Sequence, residues 1–127
     1  MEQLVPGEQD YFVLKPKHSG FYQTPLELLL KHFGTKRLIL TGLSTNSCVL
    51  FTASDAYMRD LQLIVPRDCV AACNEQEQNF AIEQIASDAQ SRCFTVNGTE
   101  HRRSRRAIFR IRRLNAAAWI RWAYCWN

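Results

Sequence analysis

Two rhythms of hydrophobic and polar positions alternate along the chain. Short runs of apolar, aromatic or β-branched residues occur at 10–14, 38–40, 62–65 and 93–96, and each reads as a strand. Between them the apolar positions take helical spacing. Leu26, Leu28, Leu29, Leu30 and Phe33 supply one buried face; Val49, Ala53, Ala56 and Tyr57 a second; Phe80, Ala81 and Ile85, with Ile82, a third within residues 76–87. Punctuation supports these bounds. Thr24 can cap the first helix, with Pro25 at its first position and Glu27 three residues after the cap, and Gly34 is a fitting stop. Gly42 closes the 38–40 run and Pro66 the 62–65 run. Residues 1–9, with a Pro6-Gly7 turn, read as a lead-in, and 15–23 and 67–73 as loops, with Asp68 a loop and helix-capping residue. Strand and helix alternate throughout, which predicts an α/β fold: a parallel sheet with helices on both faces, joined by right-handed crossovers. Ligands of such sheets sit at the carboxyl ends of strands, where Lys15, the 42–48 loop and Asp68 all fall.

The stretch 37–60 carries the sharpest chemical signal. It reads as strand, tight polar loop, helix, and Cys48 lies where the helix begins. Unpaired N–H groups and partial positive charge at a helix start favour a thiolate, the nucleophilic form, and can bind an oxyanion. Residue type alone leaves a second reading open, a small buried cysteine. Lys15 likewise reads by itself as an exposed loop lysine.

Charge sharpens the organisation. The net +4 hides an acidic body, −3 over residues 1–99, and a basic end, +7 over 100–127. That end holds Arg102, Arg103, Arg105, Arg106, Arg110, Arg112, Arg113 and Arg121 among Trp119, Trp122 and Trp126. Its Arg, Ala and Trp bias resembles a shifted reading frame. A nucleic-acid-binding arm and an interfacial membrane helix stay open beside that reading, since Arg106, Arg110 and Arg113 would share a helix face. The expected division is therefore a domain at 1–96 and a basic Arg/Trp-rich tail at 97–127, frameshifted or disordered. Five irregularly spaced cysteines and no export signal at the N-terminus lead us to expect reduced thiols in the cytoplasm. No run approaches the ~18 apolar residues of a membrane span. Asn97-Gly98-Thr99 matches a glycosylation sequon that a cytosolic protein would not use.

The ordered motifs resemble a known family. Leu14-Lys15-Pro16-Lys17-His18-Ser19-Gly20-Phe21, then Thr24 and Leu26, then Leu40-Thr41-Gly42-Leu43-Ser44-Thr45-Asn46-Ser47-Cys48-Val49, then Thr52-Ala53-Ser54-Asp55-Ala56, resemble the isochorismatase-like cysteine hydrolases, among them nicotinamidase-related amidohydrolases. The resemblance covers roughly residues 5–95. It implies a doubly wound, Rossmann-like sheet, here a partial one. It also implies a cysteine amidohydrolase acting on a small amide or related C–N bond through a covalent acyl-enzyme. By the same resemblance Cys48 is the nucleophile and Lys15 its partner. A cis peptide joins Leu43 to Ser44, and the N–H groups of Ser44 and Cys48 form an oxyanion hole. Ser19, Phe21 and Thr45 contact substrate.

The family's third catalytic residue, an Asp on a strand upstream of the Lys, has no match. Asp10 is the nearest acid, roughly 16 Å from Lys15 along an extended chain and at the wrong end of the strand. The resemblance thus implies a chain shortened at its N-terminus, a sheet lacking its middle, impaired turnover, and edges that invite a homo-oligomer. No cofactor is expected and no metal site: His18, His32 and His101 are scattered, and Cys69 with Cys73 makes only a weak zinc signal.

Overall fold

The computed structural model describes the backbone of residues 10–88, 92–94 and 117–122 and the side chains of 10–87. Residues 1–9, the sequon, the Arg-rich stretch 102–113, His101 and Cys125 lie outside the described residues, as do 95 and 96 of the last expected strand. The architecture is α/β, with five mutually parallel strands and three α-helices among the described residues.

Helix α1 (Leu26–His32) begins one residue later than its sequence predicts, with Pro25 in the capping position, and the Thr24 hydroxyl accepts the Leu26 N–H at 3.3 Å. It ends in a paired-bond stop, Thr35 N–H to the Leu30 carbonyl and Gly34 N–H to that of Lys31, with Gly34 at φ +60°. Glycine takes that left-handed conformation without steric cost. Leu26 and Leu30 face the core, whereas Leu28 and Phe33 are exposed.

Strand β1 (Arg37–Leu43) runs straight through Gly42 rather than ending at it. Leu38, Ile39 and Leu40 are all buried, so both faces of β1 are covered, as expected of a parallel strand between layers. A π-helical turn (Thr45–Val49) leads into α2 (Leu50–Tyr57), and β2 (Gln62–Pro66) pairs with β1 from Arg37↔Gln62 to Ile39↔Ile64. A single 3₁₀ turn (Arg67–Cys69) follows, then the two-residue β3 (Val70–Ala71), which pairs with Gly42 and Leu43. The offset between paired residues grows by three across that turn, the number of residues the turn inserts. Helix α3 (Glu75–Asp88) then returns, and β4 (Arg92–Phe94) pairs with β2. Asn74, not Asp68, caps α3: its Oδ1 accepts the Glu77 N–H at 2.9 Å, while Asp68 lies in the 3₁₀ turn.

Strand β5 (Ala117–Trp122) pairs with β1 along its length, from Arg37↔Ala117 to Gly42↔Trp122. Residues at the C-terminal end of the sequence thus run beside β1. Residues 10–14, by contrast, form no strand. Their side chains are largely out of the core, with Phe12 74% and Leu14 89% exposed, and without a ladder partner an extended run has nothing to satisfy its backbone groups. Tyr11 meets the edge of Phe33, ring centres 5.2 Å apart.

The core lies between sheet and helices: Leu38, Leu40, Leu63 and Val65 from strands, Val49, Ala53 and Ala56 from the turn and α2, Ile82 and Ile85 from α3. Burying each large side chain contributes about 1.5–3 kcal/mol. Phe80 and Tyr57, expected inside, are exposed. The 3.6-residue period rotates both past the edge of their buried stripes.

Candidate active site

The sulfur is placed by regular structure on either side of one turn. Gly42 has φ +113°, a conformation closed to side chains, and the bond from Leu43 to Ser44 is cis. Ser44 is extended, and its carbonyl then accepts the Val49 N–H at 3.1 Å and the Ser47 N–H at 3.2 Å. Cys48 therefore sits inside the π-helical turn, one residue before its end and two before α2, and is 1% exposed. Such turns carry an extra residue per hydrogen-bonded ring and recur at functional sites.

Helix α3 holds this turn from outside. Thr45 donates to the side-chain carbonyl of Gln78 at 2.5 Å, and the Gln78 amide donates to the carbonyls of Val70 at 3.0 Å and Arg67 at 3.3 Å. One side chain thereby joins the turn, the 3₁₀ turn and β3. Asn46 donates to Glu77 at 2.6 Å, and Ser44 donates to Asn46.

The second half of the site is the 15–21 loop. Lys15 Nζ lies 3.2 Å from Cys48 Sγ and 3.1 Å from the Lys17 carbonyl. A positive charge at that distance favours the thiolate over the thiol. Thr52, fully buried on α2, ties the halves together: it donates to the Cys48 carbonyl at 2.7 Å and accepts the Gly20 N–H at 3.0 Å. Ser19 donates to Asp55 and accepts the Phe21 N–H at 3.1 Å. Phe21 lies in the core with the Arg59 guanidinium 4.6 Å from its ring centre. Arg59 in turn donates to Glu27 at 2.8 Å and reaches Asp55 at 3.4 Å. Hydrogen bonds from Lys31 and then Arg59 hold the Glu27 carboxyl down from the usual 4.5 to about 2.

Every candidate residue from the sequence thus falls within one region. Cys48 and Lys15 touch, Leu43 and Ser44 share the cis bond, and Ser19, Phe21 and Thr45 are buried around them. Sequence reasoning missed the supports. Gln78 and Glu77 were read only as helix residues, although Asn74-x-x-Glu77 is a helix-start signal. Thr52, Asp55 and Arg59 lie on α2 or just past it, where a polar residue facing a loop looks like one facing water. His18 also belongs here, with Nδ1 3.1 Å from Ser47 Oγ and 3.8 Å from Cys48 Sγ. Cys69 and Cys73 are exposed, and partial desolvation with the Asp68 charge pushes the Cys69 thiol up. Among the described residues no three His, Cys, Asp or Glu side chains cluster as metal ligands, and no helix is long and apolar enough to cross a membrane.

A parallel α/β sheet that presents a thiol at a strand-to-helix turn, beside a lysine amine, defines an α/β fold with a cysteine-centred site. The isochorismatase domain family model matches residues 1–100, and the chain belongs to the isochorismatase family. It is 45% identical over 83 residues to the uncharacterized isochorismatase family protein YaaI of Bacillus subtilis (strain 168), covering 65% of this chain and 46% of that one. It is 34% identical over 104 residues to the ureidoacrylate amidohydrolase RutB of Klebsiella pneumoniae subsp. pneumoniae, covering 76% and 44%. An isochorismatase-like hydrolase from Alkaliphilus metalliredigens superposes with a TM-score of 0.71 at 34% identity, over 76% of this chain and 52% of that one. The chain spans less than half the length of these two curated relatives.

Proposed function

We propose that this chain carries the thiol half of a cysteine amidohydrolase acting on a small amide or related C–N bond. The observation that carries the reading is the 3.2 Å approach of Lys15 Nζ to Cys48 Sγ, between residues 33 positions apart. Cys48 attacks the carbonyl carbon, Lys15 favours the thiolate and the oxyanion, and the Ser44 and Cys48 N–H groups receive the oxyanion. Ammonia or an amine leaves, and water hydrolyses the thioester. Ser19, Phe21 and Thr45 shape the substrate wall, and the relative named as an amidohydrolase supports the bond type. Turnover by residues 1–127 is slow and acyl-enzyme accumulates, because no acid in this sequence matches the Asp that activates water in the family. Residues 1–96 form the hydrolase domain, which needs no cofactor, and five irregularly spaced cysteines support a cytoplasmic location.

The test is ammonia release from small amides such as nicotinamide by purified 1–127, beside Cys48→Ala, with mass spectrometry for an acyl adduct. Cys48-dependent release or adduct supports the reading; neither, with any amide tried, sinks it. The alternative, a non-catalytic protein whose basic tail binds nucleic acid or anionic membrane, rests chiefly on the Arg-rich stretch 102–113, which lies outside the described residues, and no observation favours it.

A further inference from the structure

The segment that brings Lys15 to the sulfur has no ladder of its own, and its fastenings converge on one guanidinium. Arg59, two residues past the end of α2, donates from Nε to Glu27 of α1 at 2.8 Å. One of its Nη groups donates to the Asp55 backbone carbonyl at 2.9 Å and reaches the Asp55 carboxylate at 3.4 Å. The other oxygen of that carboxylate accepts from Ser19, whose Oγ accepts the Phe21 N–H at 3.1 Å. The guanidinium also lies against the Phe21 ring, its carbon 4.6 Å from the ring centre, and Phe21 is buried in the core. Arg59 thus meets α1, α2 and the loop at once. A planar fork of donors can bridge carboxylates on two elements and stack on a ring together, whereas an ammonium on a flexible stem makes fewer of these contacts at a time. Glu27 and Asp55 balance its charge, so what Arg59 offers the site is geometry.

We propose that Arg59 is a positioning residue of this site: by gripping Asp55 and Phe21 it holds the 15–21 loop where Lys15 Nζ meets Cys48 Sγ. The proposal rests on the reading of Lys15 as the cationic partner of the thiol, and it adds the group that fixes their separation. Ser19 and Phe21 lie four and six residues after Lys15, so pinning them limits the backbone that carries the lysine. They are pinned from α2, and the turn that holds Cys48 runs directly into α2. Thr52 makes the neighbouring tie, donating to the Cys48 carbonyl and accepting the Gly20 N–H. Thr52 and Asp55 are three residues apart and share a face of α2, so loop and sulfur are both referred to that face. The separation matters for the charge. Attraction between Lys15 and the thiolate falls as they part, and falls faster once water enters the gap. A shift of about 1 Å at a reacting group can cost about 100-fold. Arg59 acts through Lys15 rather than on the sulfur, so its loss should matter only while Lys15 is there.

That dependence is the test. Cys48 alkylation by iodoacetamide is followed by peptide mass spectrometry in the full-length wild type, Arg59→Lys, Lys15→Met and the double variant, with Cys69 and Cys73 as internal references and circular dichroism to check folding. Arg59→Lys keeps the charge and loses the fork. It should slow Cys48 labelling at neutral pH by about tenfold, the change that one pH unit in the thiol gives, and the deficit should narrow as pH rises and the thiol ionises without help. In the Lys15→Met background the same substitution should add nothing, the non-additivity expected of two residues that act in series. Asp55→Asn, which weakens the grip on both Ser19 and Arg59, should move labelling the same way by a few-fold, and it decides the question if Arg59→Lys fails to fold. Labelling at the wild-type rate in the folded variant overturns the proposal. So does an equal slowing with and without Lys15, which would mean general loosening or a direct field on the sulfur. If Lys15→Met itself labels like wild type, the lysine–thiol reading fails and the proposal with it; if only Arg59→Lys does, the reading stands and the positioning role fails.

Discussion

The two halves of the site are built by different means. The Cys48 half is regular structure: β1, one π-helical turn and α2, with the sulfur buried and the turn held by Gln78 and Glu77 from α3. The Lys15 half is irregular backbone from residue 10 to 24, without a ladder, and its strongest ties are side chain to backbone or side chain to side chain: Thr52 to Gly20, Ser19 to Asp55, Arg59 under Phe21. A nucleophile needs a fixed direction of attack, which a buried strand and helix supply through many small contacts. The cationic partner reaches the sulfur from the rim, from a segment secured at a few points. Damage to the first half should therefore appear as lost folding, and damage to the second as lost chemistry in a folded chain.

Leu40→Ala should break the first half outright. Leu40 is fully buried in β1, and deleting a large core side chain costs about 2–5 kcal/mol. Urea unfolding should show the loss; a midpoint close to wild type would mean that β1 is not central to stability. Lys15→Met should do the opposite, with unfolding unchanged and Cys48 alkylation at neutral pH slower by roughly 10–100-fold, since removing a neighbouring opposite charge moves a thiol by about 1–2 pH units. If Lys15→Met lowers stability and spares reactivity, the contrast between the halves is reversed.

Gln78→Ala sharpens the comparison from the α3 side. It leaves the Thr45 hydroxyl and two backbone carbonyls without this partner, a cost of about 1–3 kcal/mol. It should lower stability and slow Cys48 labelling a few-fold together, as a part of the first half must; labelling at the wild-type rate would show that the turn keeps its shape without α3.

The smallest effect belongs to Glu27, at the outer end of the chain of contacts from Phe21 through Arg59. Its carboxyl falls from 4.5 to about 2 on folding. A depressed carboxyl contributes stability above its unfolded value and loses it as pH falls through its folded one. The stability difference between wild type and Glu27→Gln should thus be constant above pH 4.5 and vanish as pH falls through about 2. Because Glu27 is only partly buried, salt should shrink the difference further. A gap that persists at pH 2 would place the effect elsewhere.

Much of this was legible in the sequence, for reasons that are local. The unbroken apolar run around Leu38, the helical spacing of Val49, Ala53 and Ala56, and Thr24, Gly34 and Pro66 as punctuation act over one turn or one strand, so they marked β1, β2 and all three helices without knowledge of neighbours. The ordered motifs around Lys15 and Cys48 likewise brought the two groups to one site. Pairing was not legible. Whether residues 10–14 become a strand depends on a partner, and none of the described strands runs beside them; the edge of β1 is taken by β5, from a stretch whose composition suggested no such place. Nor were the supports legible. Gln78 reaches Thr45 across 33 residues and Arg59 reaches Glu27 across 32, and no local pattern in the chain encodes which polar side chain a fold will turn inward. Hydrogen bonds and ladders at long separation are satisfied only once the layers have packed, so the tertiary structure alone decided them.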